Sequence, residues 1–109
     1  MIRGELWTVA GGPNYAGNPR PALIVQEDAF NNLKSITICL LTSNQTEGLG
    51  IRVRLEPTTG NGLKEISNGM VDKISTVPRT HLEMRIGFLN RADLDRVDQA
   101  MMIFLGLPG

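Results

Sequence analysis

The chain has 109 residues, 41% of them hydrophobic, a size and apolar content that support one core and exclude two independent ones. Eleven basic residues balance eleven acidic ones, which excludes the global positive field of a DNA-packaging protein and confines any nucleic-acid site to a local patch. One cysteine rules out an intrachain disulfide, and no apolar run approaches the roughly 20 residues of a membrane-spanning helix.

The start, Met1-Ile2-Arg3-Gly4-Glu5, lacks the apolar stretch of a signal peptide, so a cytoplasmic protein is expected. No period of 20–50 residues repeats, and a single domain over residues 1–109 is the reading.

Short runs rich in β-branched and aliphatic residues, each bounded by Gly, Pro or Asn, predict five or six strands. The first is Glu5–Val9. A loop from Gly11 to Arg20 follows, dense in turn residues and carrying Tyr15; connections of that length are often functional. Its Gly12 and Gly17 have the spacing of a phosphate-binding loop, but Asn18-Pro19 replaces the required Lys and Ser or Thr, so nucleoside triphosphate binding is discarded. Arg20 stands between Pro19 and Pro21, which restrict the backbone around it. Its guanidinium could grip a phosphate or stabilise a phosphoryl transition state, or it could be a solvated arginine at a strand end.

The second strand is Pro21–Gln26. The third, Ile36–Leu41, is apolar on nearly both faces and reads as a covered central strand, with Cys39 a small buried hydrophobe. Thr42-Ser43-Asn44-Gln45-Thr46 follows directly, and its hydroxyls and amides suit either phosphate oxygens or ordinary turn chemistry. In Ile51–Leu55 the strict alternation places Ile51, Val53 and Leu55 inward and Arg52 and Arg54 outward. Gly69–Lys73, running on toward Val77, sets Asp72 and Lys73 on opposite faces, and a weak strand covers Glu83–Leu89.

The period then changes. Leu94, Val97, Met101 and Phe104 or Leu105 recur at helical spacing, Asn90 with Asp93 resembles a capping pair, and Gly106 and Pro108 end the helix. Trp7 and Phe104 are expected in the core. The fold class is therefore mainly β with a C-terminal α-helix, as a strongly bent antiparallel sheet or partly open small barrel.

The sole histidine, His81, lies in a polar turn and reads as solvated; a two-histidine acid–base pair within one chain is impossible. One cysteine and one histidine cannot close a zinc shell, and no calcium-loop pattern occurs, so no cofactor is implied.

Taken in order, Arg3-Gly4-Glu5-Leu6-Trp7, Arg20-Pro21-Ala22-Leu23-Ile24-Val25-Gln26 with Asp28 and Phe30-Asn31, Leu41-Thr42-Ser43, Val71-Asp72-Lys73-Ile74 and the helix closing on Leu105-Gly106-Leu107 resemble the MazF/PemK family of toxin endoribonucleases, within the CcdB/PemK-like superfamily. The resemblance spans essentially the whole chain. It implies an SH3-like small barrel with a C-terminal helix, a homodimer, a MazE-like antitoxin partner whose disordered acidic tail would cover the RNA groove, and metal-independent cleavage of single-stranded RNA to 2′,3′-cyclic phosphate and 5′-hydroxyl ends. Attack by a ribose 2′-hydroxyl on its own phosphate needs a proton acceptor, a proton donor and stabilised charge, and it restricts the substrate to RNA.

By the same resemblance Arg20, Thr42 and Asp72 are the catalytic residues, and Lys73, Ser43, Arg3 and Tyr15 contact RNA. Two positions depart from the family pattern: Met70 stands where some members carry an arginine two residues before the acid, and Ser75 where many carry a base. An Arg–Asp pair within that strand is thereby removed, and more of the charge stabilisation falls to Arg20. A gyrase poison on the same fold, as in the CcdB family, is the alternative, but such chains end in Trp-Gly-Ile and this one in Leu105-Gly106-Leu107-Pro108-Gly109. A silent SH3-like binding domain is the third reading.

The balanced charge predicts locally focused RNA affinity with a shallow dependence on salt. In a plot of log affinity against log salt, a slope equivalent to many phosphate contacts, at about −0.7 for each, would contradict it.

Overall fold

Six antiparallel strands and one helix are built from these runs: β1 (Glu5–Val9), β2 (Arg20–Ile24), β3 (Ser35–Thr42), β4 (Val53–Leu55), β5 (Ser67–Pro78), β6 (Leu82–Phe88) and α1 (Arg91–Leu105). They are seen in a computed structural model that describes residues 1–10, 20–44 and 51–108. The strands form one sheet in the order β4-β5-β3-β2-β1-β6. Single-turn 3-10 helices at Asp28–Phe30 and Arg79–His81 make the β2–β3 and β5–β6 corners.

Strand β3 is the apolar run that reads as central, and it is covered on both faces. Ile36 and Ile38 join Val9, Ala22, Ile24 and Leu82 on one side. Cys39 and Leu41 join Leu6, Leu23, Val53, Leu55, Val71 and Val97 on the other, where α1 packs. Burial pushes the Cys39 thiol up to about 12, with the nearby Asp72 charge adding to the effect, so the group is an inert hydrophobe.

Helix α1 forms as its spacing dictates. The Asn90 side chain accepts from the Asp93 amide at 2.8 Å, Val97 is fully buried, Leu94, Ala100 and Met101 lie against the core, and Gly106 closes the helix in the left-handed conformation. Phe104 is not a core residue: it is 46% exposed, and Ile103, Leu105 and Leu107 are exposed with it. Helical spacing thus continues through the last turn without burial of its apolar side chains. Trp7 is half-buried against the second cluster, its indole N–H donating to Glu5.

The sheet is bent rather than closed by strand pairing, with β4 and β6 as its two edges among the described residues. The loop after β4 spans the gap, and the Phe88 amide donates to the Gly60 carbonyl at 3.0 Å. Two glycines allow this approach. A Cβ on Gly87 would collide with the Gly60 and Asn61 backbone, and one on Gly62, whose φ is +70°, with the Ile86 carbonyl. Buried Asn61 organises the loop, accepting from the Thr58 and Leu63 amides and donating to the Glu56 carbonyl.

Strand ends differ from the sequence reading for local reasons. β2 starts at Arg20 and stops at Ile24, because the Gln26 side chain takes over the edge of β3 by accepting from the Thr37 amide at 3.1 Å. β5 extends over twelve residues and is broken by a bulge. β4 contains only Val53–Leu55, with Val53 and Leu55 buried and Arg54 exposed. Arg52 lies outside that strand and is not outward-facing, as shown below.

Gly87→Ala is expected to cost about 1–3 kcal/mol by forcing the loop off β6. Urea denaturation followed by circular dichroism measures it.

Candidate functional site

Antiparallel register brings distant parts of the chain into one row. β2 pairs with β3 through Ala22↔Leu40, Leu23↔Cys39 and Ile24↔Ile38. Continued two residues in that register, Arg20 comes opposite Thr42, the last residue of β3. Thr42 pairs in turn with Asn68 of β5, and Asn68 with Arg54 of β4. Directly opposed residues of antiparallel strands project to the same face, about 5 Å apart from strand to strand. Arg20, Thr42, Asn68 and Arg54 therefore line one end of one face of the sheet.

Arg20 is exposed, and its backbone is held at both sides: it pairs with Val9 of β1 and leads into Pro21. Thr42 is half-buried. Its Oγ1 accepts from the Asn44 amide at 3.1 Å, a hydroxyl-capped turn that ends β3 and leaves Ser43 exposed beside it. Tyr15, Gln45 and Thr46 lie outside the described residues.

Asp72 and Lys73 occupy the bulge. Leu41↔Gly69 and Cys39↔Ile74 are successive rungs, between which β3 contributes Leu40 alone while β5 contributes Met70, Val71, Asp72 and Lys73. Met70 and Val71 are buried, Lys73 is exposed, and the Asp72 carboxylate meets Arg52 in a two-pronged ion pair, Nε–Oδ1 at 3.1 Å and Nη2–Oδ2 at 3.2 Å. Only 8% of the Arg52 side chain is exposed. This corrects the outward placement of Arg52: the alternation ends at Val53, and the guanidinium turns in to neutralise a half-buried acid. Hydrogen bonding from Arg52 holds the Asp72 carboxyl below its ordinary value against the opposing effect of burial, so this carboxylate stays ionised. The position occupied by Met70 has thus been bypassed, with an Arg–Asp pair assembled from β5 and the approach to β4.

The pair lies toward the helix. Arg52 lines a cleft of about 360 Å³ with Ile51, Val53, Asp95, Arg96, Gln99 and Ile103. Arg3 is similarly engaged: its Nη2 meets Asp98 of α1 at 2.5 Å, its Nε donates to the Val25 carbonyl at 3.0 Å, and its amide donates to Asp28 at 2.7 Å. These bonds fasten the N-terminal turn to the end of β2 and to the helix.

Of the sequence-derived residues, the structure brings Arg20, Thr42 and Ser43 to one sheet end, places Asp72 and Lys73 in the neighbouring bulge, and sets Arg3 against α1. Asn68, Arg54 and the Arg52 partnership were missed. Asn68 carried a signal, since asparagine is depleted in strands and here precedes a buried Gly-Met-Val run.

Removing Arg52 should leave Asp72 without its counter-charge; Arg52→Ala is expected to cost about 3 kcal/mol, the lower end for a buried pair that loses one partner. Because the folded value of Asp72 lies below its ordinary 3.8, the pair contributes fully above that pH and is lost as pH falls through the folded value. Stability of the wild type should accordingly fall more steeply below about pH 3.8 than that of Asp72→Asn, as read from urea midpoints across pH.

The chain is 42% identical to a probable endoribonuclease MazF of Mycolicibacterium smegmatis over 109 residues, the full length of both. It is 31% identical to the endoribonuclease MazF9 of Mycobacterium tuberculosis, with 98% of each chain covered. In fold it resembles a mycobacterial endoribonuclease solved in complex with its cognate antitoxin, at a TM-score of 0.81 and 23% identity, covering 100% of this chain and 98% of the other. A family model for the PemK-like, MazF-like toxins of type II toxin–antitoxin systems matches residues 2–105, and the chain belongs to that family.

Proposed function

We propose that this toxin is an endoribonuclease that cuts single-stranded RNA at short sequences, with Arg20 and Thr42 as its catalytic residues. The observation that carries the reading is the β2–β3 register, which sets a backbone-restrained guanidinium opposite a hydroxyl at one sheet end. Relatives named endoribonuclease match over the full length of the chain.

In the proposed reaction the ribose 2′-oxygen attacks its adjacent phosphorus while the bond to the 5′-oxygen breaks, leaving a 2′,3′-cyclic phosphate and a 5′-hydroxyl. One proton passes from the 2′-hydroxyl to solvent water and one reaches the departing 5′-oxygen, so the step balances, and neither transfer requires a metal. Arg20 would bind the scissile phosphate, its charge matching the negative charge that grows on the equatorial oxygens, and would stand as proton donor to the leaving oxygen. Because Thr42 Oγ1 accepts from the Asn44 amide, its own O–H is the part left to donate, which suits a phosphate oxygen.

Asp72, ionised and bonded to Arg52, enters this proposal as the brace of the bulge that presents Lys73 to the RNA backbone. Ser43 contacts RNA beside Thr42, and Arg3 acts by fastening the N-terminal turn. A MazE-like antitoxin is the proposed inhibitor, a reading supported by the complex known for a structural relative. Exposed Ile103, Phe104, Leu105 and Leu107 support assembly of a homodimer, since such a run of apolar side chains gains from being covered.

The test is incubation of the purified protein with a long, weakly structured RNA in EDTA, with cut sites and end groups mapped by sequencing and mass spectrometry. Cuts at one short motif with cyclic-phosphate ends are expected, and Arg20→Ala should reduce the rate by about 10²–10³ or more. Intact RNA after incubation with folded wild-type protein would sink the proposal and favour gyrase binding or a silent domain.

A further inference from the structure

We infer that Asn68 is a positioning residue for Thr42, holding from the neighbouring strand the turn that orients the threonine hydroxyl. The inference rests on the ribonuclease reading above and names a group that acts on the reaction without touching RNA.

Asn68 is 8% exposed, in the second position of β5. A buried amide in a strand needs hydrogen-bonding partners to offset its lost hydration. Its Nδ2 donates to the Asn44 carbonyl in a long bond of 3.5 Å, and its backbone is the direct partner of Thr42. Asn44 in turn donates its amide to Thr42 Oγ1 at 3.1 Å. One residue, Asn44, thus has its carbonyl gripped by Asn68 and its N–H on the catalytic hydroxyl. The turn Thr42-Ser43-Asn44 leaves the sheet at this point, where β3 ends with Thr42, and the side-chain bond from β5 reaches beyond that end to the turn.

The consequence is orientational. A hydroxyl that accepts from a backbone amide has a defined direction left for its single O–H, whereas a loosened turn lets the threonine rotate between its staggered positions. Phosphate binding through Arg20 does not depend on this bond. Loss of Asn68 should therefore lower kcat with little change in KM.

Asn68→Asp keeps the size and removes the donor, and Asn68→Ser, too short to reach Asn44, carries the test if the buried charge of the first variant prevents folding as judged by thermal melting. With a short RNA containing the mapped cut site, kcat should fall roughly 10–100-fold, the scale of misplacing a catalytic group, while KM stays within about twofold. In a Thr42→Ala background the same substitution should cause no further loss, because residues acting as a unit are not additive. Hydrogen exchange of the Asn44 amide should be faster in the variant. An unchanged kcat where the wild type cuts, a full additional loss in the Thr42→Ala background, or wild-type exchange at Asn44 would each overturn the inference. If folded wild type leaves RNA intact, the ribonuclease reading itself fails, and with it Asn68's catalytic role, whereas exchange at Asn44 still decides whether Asn68 holds the turn.

Discussion

Strand β3 is the constraint on which the rest of the molecule depends. It is buried on both faces and paired along both edges, by β2 on one side and by β5 on the other. A strand so placed cannot slip by one residue without turning Ile36 and Ile38 into the space of Cys39 and Leu41. That rigidity is transmitted to its end. Thr42 is where the ladder stops, and its position relative to Arg20 on one flank and Asn68 on the other follows from register alone.

The same ladder also contains a wide bulge. Four residues of β5 answer one of β3, so the chain buries Met70 and Val71 and turns Asp72 and Lys73 to the rim. A carboxylate brought that close to the core requires a counter-charge, and Arg52 supplies it. The pair joins the bulge to the approach of β4, which is the far end of the connection leaving Thr42. Arg3 with Asp98 does comparable work at the N-terminus, and Glu5 is held by the Ile2 amide, the Trp7 indole and Arg85. The balanced composition is thus matched by charges used in pairs across the fold.

The division of labour resembles that of other small folds that carry chemistry on loops and strand ends. Packing determines where backbones lie, and short polar turns determine which way a hydroxyl points. In this chain the two meet within three residues, Thr42 to Asn44, with Asn68 reaching across from the adjacent strand.

Much was legible from local pattern, because local pattern has a local cause. β1 is bounded as its residues dictate, the apolar run of β3 reads as central, and α1 begins at its Asn90 cap and ends at Gly106. Arg20 between two prolines and the polar run beginning at Thr42 were visible as local features, and it was the family resemblance that singled the two residues out as catalytic. Tertiary structure decided the matters that depend on what another segment provides. Alternation sent Arg52 outward, yet an acid from a bulge in β5 draws it in, and neither the bulge nor the acid's position is written in residues 51–55. Helical spacing sent Phe104 inward, yet the last turn of α1 leaves it exposed together with Ile103 and Leu105. Asn68 lay just outside the strand read from Gly69 onward, and register places it opposite Thr42. Periodicity reports which face of an element is apolar; only the packed sheet determines how far that face is covered and which distant side chain meets it.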